Sequence, residues 1–144
     1  MGIRAESPTQ TALTALWRRR KMLLGLVGGK CSKCDTVQIP AQDICVNPDC
    51  GAVNTQEPHS FADTIGHISS FTGDNLAASV DPPAIYGQVD FEGGGKFMFD
   101  FTDCKLDEVA TEMAVTVSFR RKYFDEKRDI SGYFWKAVPV KEVK

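Results

Sequence analysis

No stretch of the 144-residue chain approaches the ~18 consecutive apolar residues that a membrane-spanning helix needs. Residues 1–10 carry Arg4, Glu6 and Pro8 where a secretory leader would have an apolar centre, so no signal peptide is read there and a cytoplasmic location is expected. Charge of one sign is missing too. Seventeen Lys and Arg stand against 19 Asp and Glu, a net of −2, which gives no overall attraction to nucleic acid or anionic lipid. Histidine is scarce: His59 and His67 are the only two, and each reads as a polar strand residue. There is no P-loop, no G-x-G-x-x-G opening a helix after a strand, and no Ser-His-Asp pattern. Nucleotide hydrolysis, dinucleotide chemistry and triad hydrolysis are therefore not indicated.

Cysteine is present and concentrated. Cys31, Cys34, Cys45 and Cys50 fall within twenty residues as C-S-K-C, ten residues, then C-V-N-P-D-C. Thiolates so close, with a turn inside each pair, can converge on one tetrahedral ion, as in closed structural zinc sites. The second pair encloses four residues, the wide end of the usual range. Asn47 and Pro48 suit a turn there, and Gly51 can take a positive φ. Two disulfides or free thiols are the alternative, disfavoured in a reducing compartment. Zn²⁺ is the expected ion, although four thiolates also accept iron. Cys104, beside an aromatic strand, reads as a lone buried thiol.

Three parts are expected: a tail and helical arm over residues 1–29, a Cys₄ ribbon over 30–56, and a β domain over 57–144. Residues 11–24 place Leu13, Leu16, Trp17 and Leu24 at helical spacing, with Gly25, Gly28 and Gly29 as stop signals. The arm's apolar stripe either docks on a partner or folds back on the main domain. In the ribbon, Val37, Ile39 and Pro40 point to a short strand. So small a unit draws much of its folding free energy from its ion.

The β domain shows five strands. Residues 61–71 and 84–91 are the first two. A Gly93-Gly94-Gly95 turn leads to residues 96–101, where Phe97, Phe99 and Phe101 share a face. Val115, Val117 and Phe119 mark the fourth strand and residues 132–138 the fifth, with a turn or short helix over 106–113. The fold class expected is mainly β: helical arm, rubredoxin-like zinc ribbon and a five-stranded OB-fold barrel. An open five-stranded sandwich is the alternative.

Several surface features carry two readings each. Arg18, Arg19, Arg20 and Lys21 either contact coenzyme A phosphates or an acidic partner, or form a solvated face near a helix C-terminus. Residues 72–83, the longest irregular stretch of the barrel, either meet a ligand, as OB loops do, or are a solvent loop. Arg120, Arg121, Lys122, Lys127 and Arg128 either meet phosphates or form a solvated hairpin tip, the reading that the interleaved Asp125 and Glu126 favour.

The order of these parts resembles the zinc-ribbon/OB-fold acyl-CoA-associated family. The residues that carry the likeness are the C-x-x-C ribbon with Ile39-Pro40, the second pair ending in Cys50-Gly51, and three barrel segments. These are H-I-S-S-F-T from His67, D-P-P-A-I-Y-G-Q-V-D-F from Asp81 and E-M-A-V-T-V-S-F from Glu112. The widened second pair departs from the family pattern, and so does Thr111-Glu112 before Met113. The resemblance implies a non-catalytic subunit that associates with a thiolase-fold enzyme acting on acyl-CoA thioesters, within a thiolase or acyltransferase complex that makes or cleaves carbon–carbon bonds. The acyl-CoA would be bound mainly by that partner. Size and layout resemble members serving benzoylsuccinyl-CoA thiolysis in anaerobic toluene breakdown, which implies an aromatic acyl-CoA as one candidate. The cysteines agree with an accessory role. An activated Cys–His pair is what thiolase chemistry requires, and four of the five cysteines are committed to metal. The rival class is a nucleic-acid-binding module, since ribbons and OB barrels serve that role elsewhere and aromatics can stack bases. A stand-alone enzyme is the third reading.

Overall fold

The computed structural model describes residues 13–76 and 82–140. Thr11, Ala12 and the middle of the 72–83 loop lie outside the described residues. The arm is two six-residue helices, α1 (Leu13–Arg18) and α2 (Arg20–Gly25), and not one continuous helix. The break falls at Arg19, where φ −98° and ψ 10° leave the helical region. Gly25 closes α2, as its position in the sequence predicts. Gly28 and Gly29 act differently from the expectation: they lie inside β1 (Val27–Cys31).

Leu26 turns the chain from arm to ribbon. It adopts a left-handed φ of 46° with its side chain fully buried. A branched side chain disfavours that conformation. Burial in the core and the bond from Phe61 N–H to Leu26 C=O (3.0 Å) hold it there.

β1 is the centre of a three-stranded antiparallel sheet, flanked by β2 (Val37–Gln38) and β3 (Gln56–Ser60). β3 reads Q-E-P-H-S, with no apolar alternation, and takes its place by pairing with β1 over Val27↔Ser60 to Cys31↔Gln56.

The second sheet contains β4 (Gly66–Asp74), β5 (Ala84–Phe91), β6 (Lys96–Asp100), β7 (Ala114–Asp125) and β8 (Ile130–Pro139), in the order β6-β5-β4-β7-β8. Its two edges meet. Phe101 and Ala137 form a parallel bridge, and Thr102 N–H donates to Ala137 C=O at 3.0 Å. That closure makes the sheet a barrel of OB order and removes the open sandwich. Inward residues alternate along β5, where Ile85, Val89 and Phe91 are buried. Phe99 on β6 and Phe101 just after it are buried, and Phe97 packs against the same core. Leu106–Glu108 is a single 3₁₀ turn.

Ribbon and barrel share one hydrophobic core. Leu26, Val37 and Ile39 join Phe61, Ile68, Val89, Phe91 and Val115 in a single buried cluster. Phe61 was expected at the start of the first barrel strand. It sits instead before β4, 1% exposed, with its ring 5.0 Å from that of Phe91. A Cβ on Gly28 of the ribbon would come within 2.7 Å of this ring, and so would one on Gly95 of the barrel turn. Gly95 also holds a φ of +88°. Two missing side chains therefore make the slot that Phe61 fills.

His67 of β4 ties two turns to the barrel. Its Nε2 lies 3.0 Å from Glu92 Oε1 and its Nδ1 3.3 Å from the Glu112 carbonyl oxygen. Both partners only accept, so both bonds form only when the ring is a doubly protonated imidazolium. The Glu92 carboxylate, then the Glu112 carbonyl, accordingly raise the His67 pKa above its ordinary 6.5. A raised folded-state value means that the stabilisation is complete below pH ~6.5 and is lost as pH rises through the folded value. An NMR titration of His67 should show the upward shift, and Glu92→Gln should reverse most of it. An unshifted imidazole would remove the ion pair.

Candidate metal centre

Two loops bring the four predicted cysteines together. Cys31 ends β1, and the turn after it returns through Asp35, whose φ is +59° and whose N–H donates to Cys31 C=O at 2.9 Å. Cys31 N–H donates in turn to Thr36 C=O. In the second loop Asp49 N–H donates to the Asn47 side-chain oxygen, and Cys50 and Gly51 N–H both donate to Asn47 C=O. This Asx turn, with Gly51 at φ +51°, accommodates the four-residue gap. Buried Gln38 ties the loop to β2: its amide donates to Ile44 C=O and accepts from Val46 N–H.

The four Sγ atoms lie within 4.8 Å of one another. Cys34 and Cys45 are 3.6 Å apart, and Cys31 and Cys50 3.9 Å. These spacings are far beyond a disulfide bond. They match the S···S separation of about 3.8 Å that a tetrahedron of 2.3 Å Zn–S bonds requires. The donor set therefore fits a metal, and four protein ligands leave no position for a substrate. Cys31 and Cys45 are buried, Cys34 and Cys50 half-buried.

Without compensation the thiols cannot all ionise. The Thr55 hydroxyl and the Lys33 N–H lower Cys31 to about 6. The Thr36 side chain, then its backbone, lower Cys34. Cys45 is favoured by the Asn47 N–H, but burial and the three neighbouring thiols push it up to about 12. Cys50, bonded by the Ala52 N–H, is nevertheless raised, with Cys34 the largest opposing influence. Four negative sulfurs in one small volume need a positive ion at their centre.

Beside the ribbon lies a cleft of about 600 Å³. Arg18, Arg19, Lys21 and Met22 of the arm face Pro40, Gln56, Pro58 and Phe97 across it. Both polar atoms of the Gln56 side-chain amide are buried and have no protein hydrogen-bond partner. Sequence reasoning missed Gln56, because a polar residue in a polar stretch gives no sign that tertiary packing will enclose it. Arg20 is separate: its guanidinium stacks 4.0 Å over the Trp17 ring and donates to Trp17 C=O.

Elsewhere the sequence expectations divide. Arg120 pairs with Asp103 at 2.7 Å, Lys122 with Asp100 at 3.1 Å and Arg128 with Asp125 at 3.1 Å. Cys104 is half-buried against the barrel core. His67 is held by Glu92 and Glu112, and the His59 ring packs edge-on to Phe61. The outer face of β5 and β6, where OB barrels take oligonucleotides, presents Tyr86, Gln88, Asp90, Met98 and Asp100. Asp90 is bonded there by Gln88 and Ser69 and paired with Lys96.

Comparison with known proteins agrees with this anatomy. Residues 24–54 match the family described as ChsH2, rubredoxin-like zinc ribbon domain. A DUF35 domain-containing scaffold protein of Methanocaldococcus jannaschii is 26% identical over 127 residues, spanning 86% of this chain and 88% of that one. Among solved structures, a chain of the Ltp2-ChsH2(DUF35) aldolase superposes with a TM-score of 0.64 at 19% identity. The match covers 92% of this chain and 98% of the other. The resemblance read from the sequence is borne out, and so is the mainly β fold of ribbon and barrel. Among the described residues no helix is long and apolar enough to cross a membrane.

Proposed function

We propose that this chain is a non-catalytic accessory subunit of a hetero-oligomeric complex, and that its partner is a thiolase-type enzyme making or cleaving carbon–carbon bonds in acyl-CoA thioesters. The closed four-thiol centre carries the proposal. It can hold a structural Zn²⁺ through Cys31, Cys34, Cys45 and Cys50, but it offers a substrate no open coordination position. The fold around it follows, over nearly its whole length, that of the ChsH2(DUF35)-containing aldolase, and the archaeal relative is described as a scaffold. Bound zinc supplies folding free energy here. Benzoylsuccinyl-CoA thiolysis has no support in the matched proteins and is not part of the proposal. The nucleic-acid alternative is disfavoured because Lys96 and Lys122 are already paired with Asp90 and Asp100 at the outer face of β5 and β6, which leaves little positive charge there for a phosphate backbone.

The tagged chain, isolated natively from its own cells, should bring down a thiolase-fold enzyme in stoichiometric amount. Recovery of the chain alone, or with nucleic acid, would overturn the reading.

The cleft beside the ribbon supports a contact with coenzyme A. Cations on one rim suit its phosphates. Replacing Arg18, Arg19 and Lys21 together with Glu should raise the complex's KM for its CoA substrate by roughly tenfold, the scale of three exposed charge contacts. Unchanged kinetics in an intact complex would remove this contact.

A further inference from the structure

The near-neutral charge of the chain conceals a strong segregation. The arm (residues 13–25) and the β7–β8 hairpin (residues 114–139) carry ten Lys and Arg against three acids, a net of +7. The remaining described residues carry four Lys and Arg against 13 acids, a net of −9. Arm and hairpin also touch: Trp135 Nε1–H donates to Leu23 C=O at 3.1 Å. The two basic segments therefore adjoin.

The hairpin also exposes aromatics. Pairing puts Phe119 opposite Trp135 and Arg121 opposite Tyr133, so Phe119, Trp135 and Tyr133 share a face of the hairpin. The Phe119 ring lies 5.7 Å from Tyr133 and 5.4 Å from Trp135. Phe119 and Tyr133 are 41% and 52% exposed, and Phe124, paired with Ser131 on the same face, continues the apolar surface toward the tip. β4 pairs with β7 only at Ala114 and Val115, so most of the hairpin is flanked by no barrel strand on that side.

We propose that this hairpin face, bordered by the arm, is where a partner protein docks, and that the partner's matching surface is acidic around an apolar socket. The inference rests on the accessory-subunit reading and adds the surface and the chemistry of its partner. Tyr and Trp with Arg are the side chains that most often dominate interface energetics. With Asp103 and Asp100 counted against the cations they hold, the face still carries a net of +5, which orients the approach and speeds encounter with an acidic surface. Single-stranded nucleic acid is the other ligand that cations and rings could take. Three of the hairpin's cations are already held by Asp103, Asp100 and Asp125, which lowers the charge left for a phosphate backbone.

The test uses the enzyme subunit recovered with the chain, purified separately, and measures binding by surface plasmon resonance. Phe119→Ala with Tyr133→Ala should weaken Kd by about 30-fold or more. Arg121→Glu, which leaves the rings in place, should slow association several-fold, and the wild-type association rate should fall as salt rises. Metal content and circular dichroism report on folding of each variant. Wild-type affinity in the folded variants would overturn the docking surface while leaving the accessory role intact, most clearly if Ser at Ile44, Val46 and Val53 of the ribbon abolished binding instead. Salt-sensitive capture of oligo(dT) by this face, or a dimer of the chain that Tyr133→Ala dissociates, would overturn it in favour of nucleic acid or a second copy. Failure of any enzyme to co-purify would overturn the accessory role itself, and this inference with it.

Discussion

Stripping the metal from the four-cysteine centre is expected to unfold the ribbon and to lower the melting temperature of the whole chain by more than about 10 °C. Structural zinc contributes roughly 10–16 kcal/mol of apparent binding free energy in finger-sized units, and each kcal/mol moves a domain of this size by several degrees. Apart from Leu26, Val37 and Ile39 in the shared core, little else holds the ribbon. β2 is two residues long, β3 has no apolar alternation, and the second loop is fixed mainly by Gln38 and its own Asx turn. Chelation should therefore abolish amide protection at Gly28, Lys30 and Val37, and zinc should restore it. Cys31→Ser or Cys45→Ser should reproduce the loss with a matching drop in bound metal, whereas Cys104→Ser should leave metal content unchanged. A chelated chain that keeps its amide protection and its melting temperature would show that the cysteines do not hold a structural ion.

The second large effect is expected at Phe61. Truncation to Ala should cost about 3–5 kcal/mol, the range for a buried aromatic in a site that cannot collapse. Its slot is walled by backbone on two sides, Gly28 from the ribbon and Gly95 from the barrel, and neither can move inward without breaking a strand or a turn. Denaturant unfolding of Phe61→Ala should remain a single transition at lower midpoint, because ribbon and barrel share one core. A loss below about 1 kcal/mol, or a trace that splits into two transitions, would separate the two units.

Much of the barrel could be read directly from sequence. Ala84–Phe91 was bounded correctly because Ile85, Val89 and Phe91 alternate between Pro83 and the glycine turn. The convergence of the four cysteines was legible because a metal site demands cysteines at close spacing whatever the surrounding chain does. The ribbon's sheet was not legible. Gly28 and Gly29 look like helix stops, and Q-E-P-H-S looks like a loop, yet both become strands because backbone pairing around a metal centre needs no alternating side chains. Phe61 misled for the opposite reason. It has the composition of a strand residue, but long-range packing uses it to join two units, and the strand starts five residues later at Gly66. The arm's break at Arg19, the burial of Gln56 and the segregation of charge depend on which segments become neighbours, which neither pattern nor spacing encodes.

The single core has a consequence for how the subunit is handled in a cell. A chain that has not found its ion leaves Leu26, Val37, Ile39 and Phe61 without a settled place, and these are the residues whose exposure marks a protein for proteolysis. Metal loading would thus act as a quality checkpoint before assembly. The amount of subunit available to any partner would then follow the supply of zinc even when its synthesis is constant.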